Sequence, residues 1–168
     1  MYVGLISDTH GVFGEEFKEF LSPVDVIWHA GDFGGGMDTA REMAAFKPLV
    51  GVYGNCDSHD LHYDYPQHQF FDCEGLKVLM THIGGYPGHY DLRARALIEN
   101  YRPELFVCGH SHILKVIHDR QYNMLTMNPG AAGHQGWHVV RTALRFRIDN
   151  AQISDLEVFE LPRSGKIY

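Results

Sequence analysis

Residues 1–11 read MYVGLISDTHG, and this stretch sets the reading of the rest of the chain. An apolar run from Tyr2 to Ser7 suits a buried strand, and it stops abruptly at Asp8, His10 and Gly11. The run is short and no basic segment precedes it, so it reads as a strand and not as a secretion signal. A strand that delivers a carboxylate and an imidazole at its carboxyl end is the unit to look for downstream.

The same unit recurs. Val24 to Ala30 and Leu49 to Tyr53 are the next apolar runs. Between them lie two helical candidates. Glu15 to Leu21 places Phe17, Phe20 and Leu21 at three-to-four spacing before Ser22-Pro23 stops it, and a second helix, capped by Asp38, runs to Phe46 and closes at Lys47-Pro48. Strands alternating with helices predict an α/β fold with a largely parallel sheet.

Farther on, Phe70 to Phe71 and Lys77 to Thr81 flank a Glu74-Gly75 turn, Asp91 to Tyr101 reads as a helix, and Leu105 to Cys108 as a buried strand. Lys115 to His118, Met124 to Met127, Val139 to Ile148 and Ala151 to Glu160 alternate like antiparallel strands. Residues 57–69 have no period and are expected to form a long surface loop. No repeat, low-complexity tract or linker interrupts the chain, so one domain is expected over 1–168.

Composition excludes several classes of function. A hydrophobic share of 45% and a charged share of 21% describe an ordinary folded, soluble protein. The net charge is −7 with only 14 Lys and Arg, which leaves no basic footprint for bulk nucleic acid. A bound pair of divalent ions would add roughly +4 locally, so the whole-chain charge does not exclude an anionic substrate at such a site. No apolar run approaches the roughly 20 residues of a membrane helix. The 3 cysteines form no C-x-x-C pair and point to a reducing, cytoplasmic setting. The 12 histidines matter only if they converge.

They do converge on strand ends. Asp8 and His10, then Asp32, Asn55, His82, and finally His110 and His112 each follow an apolar run. In open α/β sheets the carboxyl ends of the strands border the crevice where ligands bind, so these residues are expected to meet. Taken singly, each is ordinary. Asp57-Ser58-His59 and Asp60-Leu61-His62 repeat the D-x-H pattern in loop context, Gly31-Asp32 is a common bend, Asn55 lies in a turn, and His82 alone reads as a core histidine. Gly109-His110-Ser111-His112 puts two imidazoles on one loop, and the ordered set is far more specific than its members.

That set, DTHG, GD, GNCD, TH and GHSH in this order, resembles the calcineurin-like metallophosphoesterase family, and most of all its small single-domain bacterial and archaeal phosphodiesterase branch. Asn128-Pro129-Gly130 extends the match to about residue 130. The resemblance implies an α/β sandwich of two mixed β-sheets flanked by helices, with two divalent ions at one edge. It implies that Asp8, His10 and His112 hold one ion and that Asn55, His82 and His110 hold the other. Asp32 would bridge them through its two carboxylate oxygens. It further implies hydrolysis of a phosphodiester or phosphomonoester by a metal-bridging hydroxide, with Asn55, His110 and Asp32 at the reacting centre. Mixed nitrogen and oxygen ligands suit manganese first, then iron, zinc, cobalt or nickel.

Cys56 departs from the pattern, since many members of the family carry a His there as general acid. A thiol with a reference pKa near 8.5 stabilises little charge. Cys56 is therefore expected to pack beside the site, with Asp57 orienting a ligand from behind. His59, His89 and His134 are the substitute proton donors that loop position suggests. Gly34-Gly35-Gly36 lacks the P-loop pattern and reads as a flexible loop, and Tyr63, Tyr65, Phe70 and Phe71 read as cover for the core. Specificity is expected in loops 57–69 and 83–90. The alternative to an enzyme is a protein-interaction scaffold of the same shape without turnover.

Overall fold

Strand β1 (Tyr2–Ile6) is buried along its whole length, and the two-residue period of a strand sends its side chains into two different cores. Val3 and Leu5 enter one cluster, whereas Tyr2 and Ile6 enter another. The computed structural model describes residues 1–163, so the last positions of the domain expected over 1–168 lie outside the described residues. After β1 come α1 (Glu15–Leu21), β2 (Val26–His29), α2 (Met37–Phe46) and β3 (Leu49–Gly51). The three strands run parallel, and Phe17, Leu21, Ala40 and Met43 of the two helices pack on their outer face.

The chain continues through α3 (Leu61–Asp64), β4 (His68–Cys73), β5 (Leu76–Thr81), β6 (Gly85–Tyr86), β7 (His89–Tyr90), α4 (Leu92–Tyr101), β8 (Leu105–Val107), β9 (Leu114–Asp119), β10 (Met124–Pro129), β11 (Val140–Asp149) and β12 (Gln152–Pro162). One sheet has the order β12-β11-β1-β2-β3 and the other β4-β5-β8-β10-β9. Both are mixed: β5, β8 and β10 run parallel, while β4, β9, β11 and β12 pair antiparallel with their neighbours. The sheets face each other across Val3, Leu5 and Trp28 on one side and Val78, Met80 and Val107 on the other. Trp28 sets its ring edge-on to Phe71 at 5.2 Å. Helix α4 covers the outer face of the second sheet through Ala94 and Ile98 against Leu79 and Phe106. This is the expected α/β sandwich.

Several local expectations need correction. Asp38 does not cap α2; Gly36, at φ 62°, takes the cap position, and Asp38 lies inside the first turn. Residues 57–69 are not loop throughout. Leu61 is fully buried in the outer core and anchors the single turn of α3, and β4 already begins at His68. The third strand stops at Gly51 and not at Tyr53. Loop 83–90 contains the β6–β7 ladder, in which Gly85 pairs with Tyr90. Asp91 does start α4, as its cap: its side chain accepts the Arg93 N–H at 2.9 Å and the Ala94 N–H at 3.3 Å.

Candidate metal centre

The carboxyl ends of β1, β2, β5 and β8 are laced together by backbone bonds. Asp8 N–H donates to Gly31 C=O at 2.9 Å, and Gly109 N–H donates to His82 C=O at 2.9 Å. At the centre of this seam are two buried carboxylates, each with one oxygen held and one turned inward. Asp8 Oδ2 accepts the Ser7 hydroxyl at 2.6 Å and the His110 N–H at 3.1 Å. Its Oδ1 faces His112 Nε2 at 3.1 Å and His82 Nε2 at 3.9 Å. Asp32 Oδ1 accepts the Cys56 N–H at 2.8 Å. Its Oδ2 faces His82 Nε2 at 3.3 Å and His10 Nε2 at 4.0 Å.

The imidazoles are oriented by what stands behind them. His82 Nδ1 lies 2.7 Å from Ala30 C=O, an acceptor only, so Nδ1 carries the proton and Nε2 presents a lone pair. That Nε2 is buried and has no hydrogen-bond partner. A buried lone pair aimed at two carboxylate oxygens is costly by itself and suits a cation in their midst. His112 has a longer support: His138 Nε2 donates to Gly133 C=O at 3.1 Å, which leaves His138 Nδ1 to accept from His112 Nδ1 at 3.3 Å. In that tautomer His112 Nε2 could ligate an ion, and in its absence it lies 3.1 Å from Asp8 Oδ1. Among the described residues, three sets of donor atoms each gather within 4.8 Å: Asp8, His10 and His112; Asp8, Asp32 and His82; and His10, Asp32 and Cys56.

Comparison with known proteins gives the family and the fold. The profile of the calcineurin-like phosphoesterase superfamily domain matches residues 1–151. The chain belongs to that superfamily. A probable metallophosphoesterase from Methanothermobacter thermautotrophicus is 28% identical over 138 residues, covering 78% of this chain and 77% of that protein. Two solved structures share the fold. A novel archaeal phosphodiesterase superposes with a TM-score of 0.72 at 19% identity, over 96% of this chain and 100% of its own. Wild-type Vps29 complexed with zinc, from Entamoeba histolytica, gives a TM-score of 0.72 at 15% identity, over 98% and 100%.

Within this calcineurin-like site the electrostatics are those of a trap for positive charge. Burial alone would push the Asp8 carboxyl up, but His112, His82 and Ser7 outweigh it and hold it below the usual carboxylate range. Asp32 is likewise pushed up by burial, and His82 and the Cys56 N–H bring it well below. Burial pushes His82 down, yet Asp32 and Asp8 draw it above its ordinary value. The two anions thus pull a proton towards Nε2, the position a dication would take. Cys56 goes the other way: burial and the Asp32 carboxylate push its thiol up to about 11, so it is a poor acid.

Backbone shape supplies the rest. Asp8, His10, Asp32, His110 and His112 have φ of 54°, 47°, 58°, 67° and 59°, a left-handed conformation in which Asp and His are enriched but still strained. Close packing behind them requires glycine. A Cβ on Gly31 would stand 2.6 Å from His82 Nδ1, and one on Gly54 would overlap the Asp32 carboxylate.

The remaining expected residues lie at the rim. His110 is exposed, its ring edge-on to that of His82 at 5.3 Å, and Asn55 is exposed with its Nδ2 3.3 Å from Cys56 Sγ. The resemblance gives Asp32 a bridge through both carboxylate oxygens; Oδ1 accepts the Cys56 N–H, and Oδ2 faces both His10 and His82. Asp57 accepts N–H groups from Gly34 at 3.0 Å and Gly54 at 2.8 Å, tying the glycine run to the Asn55 turn. That run is therefore anchored and not a free loop. His59, His89 and His134 enter none of the three donor groups. His59 sits against His62 and His89 against Tyr86.

Two supporting residues escaped the reading of the sequence. His138 lies in an aperiodic stretch that gives no signal. His29 is fully buried behind the site, with Nδ1 accepting Gly31 N–H at 3.1 Å and Nε2 donating to Thr9 Oγ1 at 2.9 Å. It ties the loop after β1 to the loop after β2, and burial pushes it down to about 3, so it stays neutral. A histidine inside an apolar strand, just before Gly31-Asp32, was the available sign.

Proposed function

We propose that this chain is a dinuclear-metal-dependent phosphoesterase that hydrolyses a phosphodiester or phosphomonoester of a small phosphorylated substrate. The observation that carries the reading is the buried, unpartnered His82 Nε2 facing Asp32 Oδ2 and Asp8 Oδ1. In this reading Asp8, His10 and His112 would hold one ion, Asn55, His82 and His110 the other, and Asp32 would be shared by both. The ions, when bound, acidify a water and neutralise charge on the phosphoryl oxygens of an in-line displacement.

The side chains contribute orientation and charge. Asp8 and Asp32 stay ionised, so the carboxylate charge that attracts cations is kept at ordinary pH. Asn55 and His110, being exposed, can meet a substrate oxygen as well as an ion. The Cys56 thiol, pushed up to about 11 by burial and the Asp32 carboxylate, is a weak proton donor, which favours substrates with good leaving groups. The nitrogen and oxygen donors suit manganese, with iron, zinc, cobalt or nickel as substitutes. The three free cysteines accord with a reducing, cytoplasmic location, and among the described residues no helix is long and apolar enough to cross a membrane.

The test is metal analysis together with turnover. Protein purified with added manganese is expected to hold two ions per chain and to cleave bis(p-nitrophenyl) phosphate, and Asp32→Ala is expected to lose both properties. A chain that takes up no stoichiometric metal and cleaves no ester with any of these ions would instead be an interaction scaffold.

A further inference from the structure

Beside the carboxylate cluster lies a cavity of about 660 Å³ that shares Asn55 and His82 with it. Its wall is built by segments that otherwise have no role at the site. Tyr53 follows β3, and its ring is fixed by stacking on His62 at 3.7 Å. Ile83 follows β5, and Leu97 projects from α4, which is itself pinned to the sheet by Ala94 and Ile98. Among these apolar groups stand the carboxamides of Gln67 and Asn100, with the charged Asp91 and Arg93 at the start of α4 also lining the space.

Inorganic phosphate or a small alkyl ester would leave such a space unused, since cavities of roughly 300–1,000 Å³ receive organic molecules with most of their surface buried. An apolar wall with a fixed aromatic ring suits a flat group. Carboxamides offer a donor and an acceptor side by side, which matches the edge of a nitrogen heterocycle. We propose that this cavity receives the organic ester group of the substrate, a heteroaromatic group of nucleoside size, and that the substrates are small nucleotide-type phosphoesters. The inference rests on the metal-centred reading above, in which Asn55 and His82, both of which line the cavity, would hold one of the ions.

The test is calorimetric titration of the full chain, supplemented with manganese, with inorganic phosphate, ribose phosphate and adenosine monophosphate. Adenosine monophosphate is expected to bind at least about tenfold more tightly than ribose phosphate, a difference of roughly 1.4 kcal/mol. Ala96 is an exposed position on α4 that lines the cavity. Ala96→Trp fills the space and is expected to abolish that advantage while leaving phosphate affinity and melting temperature unchanged. Asn100→Ala adds no bulk and is expected to weaken adenosine monophosphate alone. Equal affinity for the two sugar phosphates in the unmodified chain would overturn the inference, as would an advantage that survives both substitutions. If phosphate itself fails to bind in the presence of manganese, the metal-centred reading falls, and the cavity assignment with it.

Discussion

The bottom of the cleft and its rim are built in opposite ways. At the bottom, Asp8, Asp32 and His82 are almost wholly buried, and each has one polar atom held by the surrounding chain and one turned inward. At the rim, Asn55, Cys56 and His110 are exposed, and among the described residues the Asn55 side chain hydrogen-bonds its neighbour Cys56 alone. The difference separates two tasks. A buried floor with its proton positions set in advance meets a cation with little reorganisation, while an open rim lets a substrate reach the same place.

The largest effect is expected from changing the floor's charge without changing its shape. Asp32→Asn should reduce bound metal to less than one ion per chain and lower turnover by more than the roughly 100-fold that loss of an outer support costs. Elemental analysis and aryl phosphodiester hydrolysis check both. Next comes the support behind His112. His138→Ala is expected to weaken metal binding about 10- to 100-fold, by freeing the His112 ring to adopt the wrong tautomer. Nitrogen NMR of the His112 ring in the metal-free protein gives a readout that simple loss of stability would not move. If His138→Ala binds metal as tightly as the unmodified chain, the floor does not depend on that relay.

A smaller effect concerns pH and the two histidines tied to the floor. His29 is held near 3 when folded and returns to about 6.5 when unfolded. The unfolded chain therefore binds the extra proton between those values, so stability rises with pH across that window by at most about 1.4 kcal/mol per unit. His82 is shifted upward, so its contribution is full below its unfolded value of 6.5 and is lost as pH rises towards its folded value. Chemical denaturation of metal-free protein should thus show greatest stability near pH 6.5, and divalent ions should remove the alkaline decline by replacing the proton at Nε2. The smallest effect is expected at the rim. Cys56→Ser should alter kcat/KM far less than the roughly 100-fold minimum of a general acid; a loss of that size would show that the thiol donates a proton.

The same division explains what could be read before any coordinates. The strands and their terminal Asp and His residues were legible because apolar periodicity marks where a strand ends, and topology brings parallel strand ends together. Donor types at Asp8, Asp32, His82 and His112 followed from position alone. Hidden were relations between loops: His29 linking Thr9 to Gly31, Asp57 linking Gly34 to Gly54, and His138 behind His112. No local pattern records which loop faces which. The single turn of α3 was missed for a similar reason, since one buried Leu61 holds it and four residues show no period.

The left-handed backbone at Asp8, His10, Asp32, His110 and His112 has a practical consequence for anyone engineering a hardier variant. Glycine relaxes such positions, so selection for heat resistance alone would favour it at each of these five places. The survivors would be sturdier and chemically blank, and a thermal screen should therefore be paired with a metal-uptake assay from its first round.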